Sequence, residues 1–328
     1  MPIRTNMPKE QKAQEAKRAR LGRATVAVIG LGSLGATAAT ELATAGIGRL
    51  ILFDHDSVSA ANLRAQPLFG ETDIGRPKVE VVAEALVAIS RNLRLEQYKA
   101  ALAPHNVQLI AKADVLLDCT DNMFTKLLLN DISRAWCIPL VHAAIGGALG
   151  QLYVVTPDRP CLRCALGSLA AQRCGDGAAV SRTAAALAQL QVSQALRLLL
   201  GQRCERALFR LDVQAEKIRA LKVGRDLDCP ACAGRYLFLK PITEFRVERC
   251  DSKAALSAKP TRQLRLDLTE LTKRFETVGS TPIVAVVAFD GYEIVCHSHG
   301  ELIFKNCNEI DRANEIAATI YGIAAKPA

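Results

Sequence analysis

A short apolar run that ends in glycine and passes directly into a helix-like stretch constrains this fold more than any other feature. The run RATVAVIG, residues 23–30, has the length and apolar character of a buried strand. It is followed by SLGATAATELATAG, which has small and apolar residues at helical spacing and stops at Gly46. Three glycines lie at the junction: Gly30, Gly32 and Gly35. A strand, a glycine turn and a helix in this order are typical of a sheet that binds phosphates.

Strand-like and helix-like segments continue to alternate through the first two-thirds of the chain. Further strands are predicted at 48–56, 113–121 and 137–147. Helices are predicted at 75–90 and 181–201. The run 150–158 follows a strand with no helix between them, so we predict it to be antiparallel, and 206–223 has the pattern of a hairpin. We expect an α/β fold with a doubly wound, mostly parallel, Rossmann-like sheet.

The character of the sequence changes near residue 240, where a mixed and polar stretch over 241–262 begins. Beyond it, after the segment RQLRLDL at 262–268, we predict two strands, at 282–289 and 292–298. We also predict two helices, at 269–279 and 308–322. The chain is therefore divided into a basic N-terminal helix or arm, a nucleotide-binding domain and a small α+β C-terminal domain: 1–22, 23–240 and 241–328.

The positive charge is concentrated at the N-terminus. Residues 1–23 hold seven Lys or Arg against Glu10 and Glu15, more than half of the chain's net charge of +9. The interspersed Glu and Gln indicate a solvated helix rather than a nucleic-acid site, so no nucleic acid is expected as a partner. A basic surface also suits an acidic protein partner.

Composition points to a reduced compartment away from the membrane. No charge-free run of 18 apolar residues is present, and the polar N-terminus lacks the apolar core of a secretion signal. The eleven cysteines are an odd number and include two CxxC pairs, which favours metal binding over disulfides. We expect a cytoplasmic protein that does not span a membrane.

The residues after the glycine turn predict what the nucleotide is. Asp54 closes the second strand, where a carboxylate can accept hydrogen bonds from ribose hydroxyls. Alone, this pattern indicates NAD. However, polar and cationic side chains follow that suit a triphosphate and a pyrophosphate leaving group better than a nicotinamide ring: Asn62, Arg64, Gln66, Arg76 and Lys78.

Two carboxylates follow another strand of the predicted sheet. In LLDCTDN, Asp118 and Asp121 lie at the carboxyl end of a strand, the edge where open α/β sheets bind ligands. A carboxylate there can hold Mg²⁺ against phosphate oxygens. The alternative is a strand-end residue that bonds to the backbone, and this alternative weighs more for Asp118 than for Asp121.

Two CxxC pairs, in PCLRC and CPAC, provide four thiolates for one tetrahedral metal site. The pairs are too far apart for a single compact finger, so the site would join two distant segments. With all four positions taken by protein, the metal is structural rather than catalytic. We predict zinc on Cys161, Cys164, Cys229 and Cys232.

One other cysteine stands out. Cys174 lies in the glycine-rich stretch QRCGDGAAV, where an exposed thiolate can react. The competing interpretation is an inert loop cysteine, and the residues leave both open.

These motifs, in this order, resemble the ThiF/MoeB/HesA adenylyltransferases, the bacterial relatives of ubiquitin-activating enzymes. The resemblance covers about residues 20–235, and the segment from DLTELTKRF onward looks like the C-terminal extension of longer ThiF-type members. It implies a homodimer that binds MgATP. It further implies that the C-terminal Gly-Gly of a ubiquitin-like sulfur-carrier protein is activated as an acyl-adenylate, for sulfur transfer in cofactor or thio-metabolite biosynthesis.

The resemblance also assigns roles to residues of this sequence. Asp121 matches the Mg²⁺-binding aspartate, and Cys174 matches the cysteine implicated in thioester or persulfide steps in some members. The matched ATP site consists of Gly30, Ser33, Asp54, Asn62, Lys78, Asp121 and Asn122. With the residues derived above, the expected catalytic groups are Asp121, Arg64, Lys78 and Cys174. Gly32, Gly35 and Gln66 complete the expected ATP site.

This sequence departs from the family pattern at two phosphate-binding arginines. The family usually reads Asn-Leu-X-Arg-Gln, but here Ala65 stands at the arginine position and Arg64 lies one residue early. A one-residue bulge after Asn62 would move Arg64 into the vacant place. An N-terminal arginine that reaches the partner subunit's ATP site is also missing, and Arg4 is the nearest candidate.

Three other functions remain as alternatives to sulfur-carrier activation. One is adenylation of a peptide or another small carboxylate, the second a nucleotide-binding scaffold without turnover, and the third an NAD-dependent dehydrogenase. The last lacks any residue pair with obvious hydride chemistry. Measured tight binding of NAD would favour it over the others.

Overall fold

The structure is a computed structural model that describes residues 9–166, 177–239, 245–250, 255–261, 263–289 and 291–327. The chain divides into two compact units, residues 1–234 and 235–328. The predicted boundary at 240 falls inside the second of them. Among the described residues, no helix combines the length and apolar character needed to cross a lipid bilayer.

The first unit is built on an eight-stranded sheet. Its strands, in chain order, are β1 Thr25–Ile29, β2 Arg49–Phe53, β3 Arg94–Tyr98, β4 Val115–Asp118, β5 Leu140–Gly146, β6 Leu149–Val155, β7 Ala207–Asp212 and β8 Lys217–Lys222. The spatial order is β3-β2-β1-β4-β5-β6-β7-β8. The first five strands are parallel and the last three are antiparallel to their neighbours. The mostly parallel sheet and the antiparallel β6 are as predicted.

In the described part of the first unit, seven α-helices accompany this sheet: α1 Lys9–Leu21, α2 Ser33–Thr44, α3 Ala60–Ala65, α4 Lys78–Ile89, α5 Met123–Trp136, α6 Leu162–Leu166 and α7 Gly177–Leu199. Helix α2 packs against α7 and α4, so the glycine turn before α2 is backed by a continuous apolar core. Strand β1 is buried at all five positions, which explains its uninterrupted apolar sequence. Helix α5 and strand β3 were not predicted.

The second unit has a six-stranded antiparallel sheet in the order β12-β13-β14-β15-β10-β9. These strands are β9 Phe245–Cys250, β10 Ala255–Pro260, β12 Glu276–Ser280, β13 Val284–Phe289, β14 Tyr292–His297 and β15 Leu302–Lys305. A separate pair consists of β11 Leu264–Leu266 and β16 Ala325–Pro327. The helices are α8 Leu268–Arg274 and α9 Ile310–Ala324. Apolar residues of α8, α9 and this sheet form one core.

Two sequence expectations for the second unit need correction. The helix predicted over 269–279 ends at Arg274, because Glu276–Ser280 pairs with β13 as strand β12. The β-branched Thr277 and Val278 favour that strand. The stretch 241–262, for which no element was predicted, contains β9 and β10.

Candidate nucleotide and metal sites

The glycine turn between β1 and α2 has the backbone geometry that its sequence requires. Gly30 has φ +87°, and a Cβ there would lie 2.8 Å from the Cys119 carbonyl oxygen. A Cβ on Gly35 would lie 1.8 Å from the Gly30 carbonyl oxygen. Neither position tolerates a side chain, so both glycines are required by the close approach of the turn to α2 and to the end of β4.

The N-terminus of α2 is open to a ligand. Its N-cap is Gly32, which provides no side chain to cap the first backbone N–H groups. A Cβ on Gly32 would meet nothing within 4 Å, and Ser33 is the first helical residue. Free N–H groups and the positive end of the helix dipole make this a place for phosphate oxygens.

Asp54 holds the glycine turn against the end of β2. Its Oδ2 accepts a 2.6 Å hydrogen bond from the Leu31 N–H, and its Oδ1 accepts one of 2.8 Å from the Asp56 N–H. The carboxyl group is buried, and this burial raises its pKa although the cation of Lys78 and the two N–H groups oppose the shift. Each carboxylate oxygen keeps a lone pair for a ribose hydroxyl. The expected ribose contact is therefore compatible with the structural one.

Helix α3 carries the segment that departs from the family pattern. Asn62 Oδ1 accepts hydrogen bonds of 3.0 Å from the Ser59 N–H and hydroxyl, closing a capping box at the start of the helix. Gln66 Nε2 donates to the Gly32 carbonyl at 3.2 Å, which joins α3 to the glycine turn. The helix runs unbroken through Arg64, so the expected one-residue bulge is absent. Arg64 is exposed and, within the described chain, has no hydrogen-bonding or ionic partner.

Two of the expected cations are already engaged by carboxylates. Lys78, the first residue of α4, is 7% exposed, and its Nζ lies 2.7 Å from Asp56 Oδ2. Although burial opposes it, the hydrogen bond and charge of Lys78 lower the pKa of Asp56. Arg76 contacts Asp73 Oδ1 at 3.0 Å and Glu84 Oε1 at 2.5 Å, which leaves it less available for phosphate.

The end of β4 forms a buried polar cluster that the sequence did not reveal. Asp118 is fully buried, its Oδ2 lies 2.6 Å from His142 Nδ1, and its Oδ1 accepts from the Thr120 N–H at 3.0 Å and the Thr120 hydroxyl at 2.7 Å. Lys126 Nζ, on α5, lies 3.6 Å from Oδ1. Burial favours the neutral acid, but Lys126 and His142 outweigh it and hold the pKa of Asp118 at about 2. Asp118 is therefore ionised at neutral pH.

His142 is the neutral partner in this cluster. Its ring is fully buried, and burial lowers its pKa despite the adjacent Asp118 carboxylate. In the neutral tautomer that donates from Nδ1 to Asp118, Nε2 is free to accept from Gln151 Nε2 at 3.1 Å. Gln191, on α7, donates to the carbonyl oxygens of Asp118 at 3.0 Å and Val141 at 2.9 Å. The carboxyl end of β4 is thus joined to the first half of β5 and to α7.

Asp121 and Asn122 lie in the turn between β4 and α5. Asn122 is the N-cap of α5, and its Oδ1 accepts from the Thr125 N–H at 2.8 Å. Asp121 is exposed and has no partner in the part of the chain that the structure describes. A free carboxylate at the carboxyl edge of the sheet fits a magnesium ligand.

The four CxxC cysteines converge on one point. Their sulfur atoms lie within 4.8 Å of one another, with 3.8 Å between Cys161 and Cys164, 3.5 Å between Cys161 and Cys229, and 3.6 Å between Cys164 and Cys232. Zn–S bonds of about 2.3 Å in a tetrahedron require sulfurs about 3.8 Å apart. The residues therefore fit a structural zinc ion.

Helix α5 also contacts the first CxxC pair. Asn130, near the middle of α5, is fully buried, and its Oδ1 accepts from the Leu162 N–H at 2.8 Å. Leu162 lies between the first two cysteines. Helix α5 thus carries the cap next to Asp121 at one end and, near its middle, a residue that supports the first CxxC pair.

Two predicted functional residues, Cys174 and Arg4, lie outside the described residues. The functional contacts that sequence reasoning missed are those of His142, Lys126, Gln191 and Asn130. The available signal was Asn122 followed by apolar residues at helical spacing, which predicts α5 and with it the inward positions of Lys126 and Asn130.

Comparison with known proteins agrees with this geometry. The sulfur carrier protein ThiS adenylyltransferase of Escherichia coli (strain K12) is 36% identical over 202 residues, 60% of this chain and 80% of that protein. The enzyme of the same description from Bacillus subtilis (strain 168) is 28% identical over 297 residues, 85% of this chain and 87% of that protein. The second match therefore extends into the C-terminal unit.

Solved structures show the same fold. The crystal structure of E. coli MccB with MccA-N7isoASN matches with a TM-score of 0.61 at 19% identity, covering 71% of this chain and 77% of that chain. The profile of the ThiF family matches residues 6–231, more than two-thirds of the sequence. The glycine turn, the open helix N-terminus and three of the four clustered cysteines lie within those residues, with Cys232 one residue beyond them. The chain belongs to the ThiF family.

Proposed function

We propose that this protein is an ATP-dependent adenylyltransferase that activates the C-terminal Gly-Gly carboxylate of a ubiquitin-like sulfur-carrier protein. The observation that carries the proposal is the uncapped N-terminus of α2, together with buried Lys78 at the start of α4, in a chain 36% identical over 202 residues to a ThiS adenylyltransferase. Phosphate-binding geometry and sequence similarity point to the same chemistry.

The reaction is a displacement at the α-phosphorus of ATP. A carboxylate oxygen of the carrier forms a bond to that phosphorus, and the bond to the pyrophosphate oxygen breaks. The products are the acyl-adenylate and pyrophosphate, and no proton is transferred in this step. The site must therefore orient two anions and stabilise the charge on the leaving group.

Each group of the site has a role in this displacement. The backbone N–H groups after Gly32 and the Lys78 ammonium receive phosphate oxygens, and Asp54 accepts from the ribose. Asp121 is the proposed Mg²⁺ ligand, with Asn122 beside it. Bound Mg²⁺ would neutralise phosphate charge. Lys78 can exchange Asp56 for a phosphate oxygen because the Asp56 side chain is half exposed and can be solvated by water instead.

The proposal also covers a structural zinc ion, a homodimer and a cytoplasmic location. Zinc on the four cysteines has no open coordination position, so it supports folding rather than chemistry. We expect a homodimer, an acidic carrier surface that complements the net charge of +9, and a cytoplasmic location consistent with nine unbridged cysteines among the described residues.

Pyrophosphate exchange tests the function. The purified protein should exchange labelled pyrophosphate into ATP in the presence of a recombinant ThiS-type carrier that ends in Gly-Gly. The same carrier without its last glycine is the matched control and should support no exchange. Exchange with a short peptide but not with the carrier would favour peptide adenylation. ATP binding without exchange for any acceptor would favour a scaffold.

A further inference from the structure

The turn from Cys119 to Asn122 lies against the glycine turn on one side and a buried lysine on the other. The Cys119 N–H donates to the Ile29 carbonyl at 2.9 Å, which aligns the turn with the end of β1. The missing Cβ of Gly30 would lie 3.2 Å from the Thr120 nitrogen. The position of this turn is therefore part of the geometry of the nucleotide site.

Lys126 supports the same turn from α5. Its ammonium is almost fully buried, donates to the Thr120 carbonyl oxygen and lies 3.3 Å from the Thr120 hydroxyl oxygen. Asp118, at 3.6 Å, is the carboxylate that balances its charge. Asp118 in turn accepts two hydrogen bonds from Thr120. The buried Lys126–Asp118 pair thus contacts the backbone N–H, the carbonyl oxygen and the hydroxyl group of Thr120.

Asp121 is the next residue, and it contrasts with its neighbours. Asp118, Thr120 and Asn122 all use their side chains within the protein, whereas the Asp121 carboxylate has no partner among the described residues. A buried ion pair is a weak source of stability, since desolvation cancels much of its attraction. The Lys126–Asp118 ion pair instead fixes the main chain at Thr120, the residue before the free carboxylate of Asp121.

We propose that Lys126 is a positioning residue for the nucleotide site: paired with Asp118, it holds the Thr120 backbone and so sets where Asp121 presents its carboxylate to Mg²⁺. The inference rests on the proposed function for the role of Asp121. Lys126 does not touch substrate. It acts on Mg²⁺-dependent nucleotide binding rather than on nucleotide binding as such.

Titration calorimetry with ATP tests this without any carrier protein. Lys126→Met should raise the Mg²⁺ concentration needed for half-maximal enhancement of ATP binding about 10- to 100-fold, as expected when a group that supports a metal ligand is lost. Binding of ATP in EDTA should stay within about twofold of the wild-type protein. Lys126→Arg, which keeps the charge and donors, should restore most of the Mg²⁺ response. Lys112→Met, an exposed lysine of the same unit, is the matched control.

The single variant leaves Asp118 buried without its cation, so it is paired with Lys126→Met/Asp118→Asn, which removes both charges. Wild-type zinc content and melting temperature in the double variant would show that the fold is intact. A folded double variant with a wild-type Mg²⁺ response overturns the inference, as does an equal loss of ATP binding with and without Mg²⁺. Failure of the proposed function is separate: the wild-type protein would bind MgATP and show no pyrophosphate exchange with the carrier.

Discussion

The four-cysteine cluster gives the sharpest prediction, because its removal has a magnitude that follows from the chain. Cys229→Ser/Cys232→Ser eliminates one CxxC pair and with it the connection to Cys161 and Cys164. All four sulfur atoms lie within 4.8 Å of one another, so the wild-type cluster closes a loop of 65 residues from Cys164 to Cys229. The double variant should fold with the loop open and without zinc.

The entropy of loop closure sets the minimum decrease in the free energy of unfolding of this double variant. Treated as a cross-link of the unfolded chain, a loop of this length contributes about 4 kcal/mol to the free energy of unfolding. The first unit ends at Gly234, and for a domain of that size 1 kcal/mol corresponds to about 2–4 °C. The melting temperature should therefore fall by about 10 °C. The intrinsic affinity of the thiolates for zinc adds to this loss.

Differential scanning calorimetry with metal analysis of the same sample measures both quantities. The wild-type protein should hold about one zinc ion per chain. The matched control is Cys137→Ser, which changes an exposed cysteine of the same unit and should keep the zinc and the melting temperature. One zinc per chain in Cys229→Ser/Cys232→Ser, or a melting temperature equal to that of the control, would refute the reasoning.

Four further outcomes are expected. Asn130→Ala should lower the free energy of unfolding by about 1–3 kcal/mol in urea, because the buried Leu162 N–H loses its acceptor; an unchanged value would contradict this role. The folded protein holds the pKa of Asp118 at about 2, so Asp118 contributes stability that is present above pH 3.8 and lost as the pH falls towards 2. Between those two pH values, the free energy of unfolding measured in urea should fall by about 2 kcal/mol more for the wild-type protein than for Asp118→Asn. If the long Arg64 side chain reaches the phosphates from the unbroken helix α3, Arg64→Ala should lower pyrophosphate exchange at least ~100-fold while Arg91→Ala should not, and a similar rate for both would remove Arg64 from the site. Cys174→Ala should still form the adenylate but fail in the later transfer of the activated acyl group, and full transfer would make Cys174 a loop residue.

Local sequence signals were sufficient for the elements that lie around the glycine turn. Gly30 and Gly35 are required by contacts with backbone atoms, and such contacts leave a clear mark on the sequence because no other residue fits. The convergence of the cysteines was predictable for a similar reason, since thiolates in CxxC pairs have few other uses. Both features are determined by residue type and spacing.

The buried cluster at β4 was not predictable from the same signals. Asp118, His142 and Lys126 come from two strands and a helix, and their contact depends on strand order and on the orientation of α5. A histidine within an apolar run or a lysine within a helix is compatible with many environments. Strand β12 was also mispredicted for a tertiary reason, because its pairing with β13 overrides the helical pattern that continues from the preceding residues.

The geometry of α3 determines whether Arg64 can replace the phosphate-binding arginine for which Ala65 is substituted. An unbroken helix rotates about 100° per residue, so Arg64 leaves the helix in a different direction from Ala65. Only the long side chain of Arg64 can offset that difference. Ala65→Arg should therefore raise the exchange rate if Arg64 fails to reach the phosphates.

The spacing of the four clustered cysteines also has a consequence for how the protein is synthesised. The first CxxC pair is synthesised 65 residues before Cys229, which at about 5–20 residues per second is roughly 3–13 s. During that interval the parallel strands and their glycine turn have all left the catalytic centre of the ribosome, while the metal site still has only half of its ligands. Completion of the four-cysteine cluster is therefore a late event in the synthesis of the first unit. If the cluster holds the proposed zinc ion, a shortage of zinc would leave chains whose sheet has formed but whose two CxxC segments are not joined.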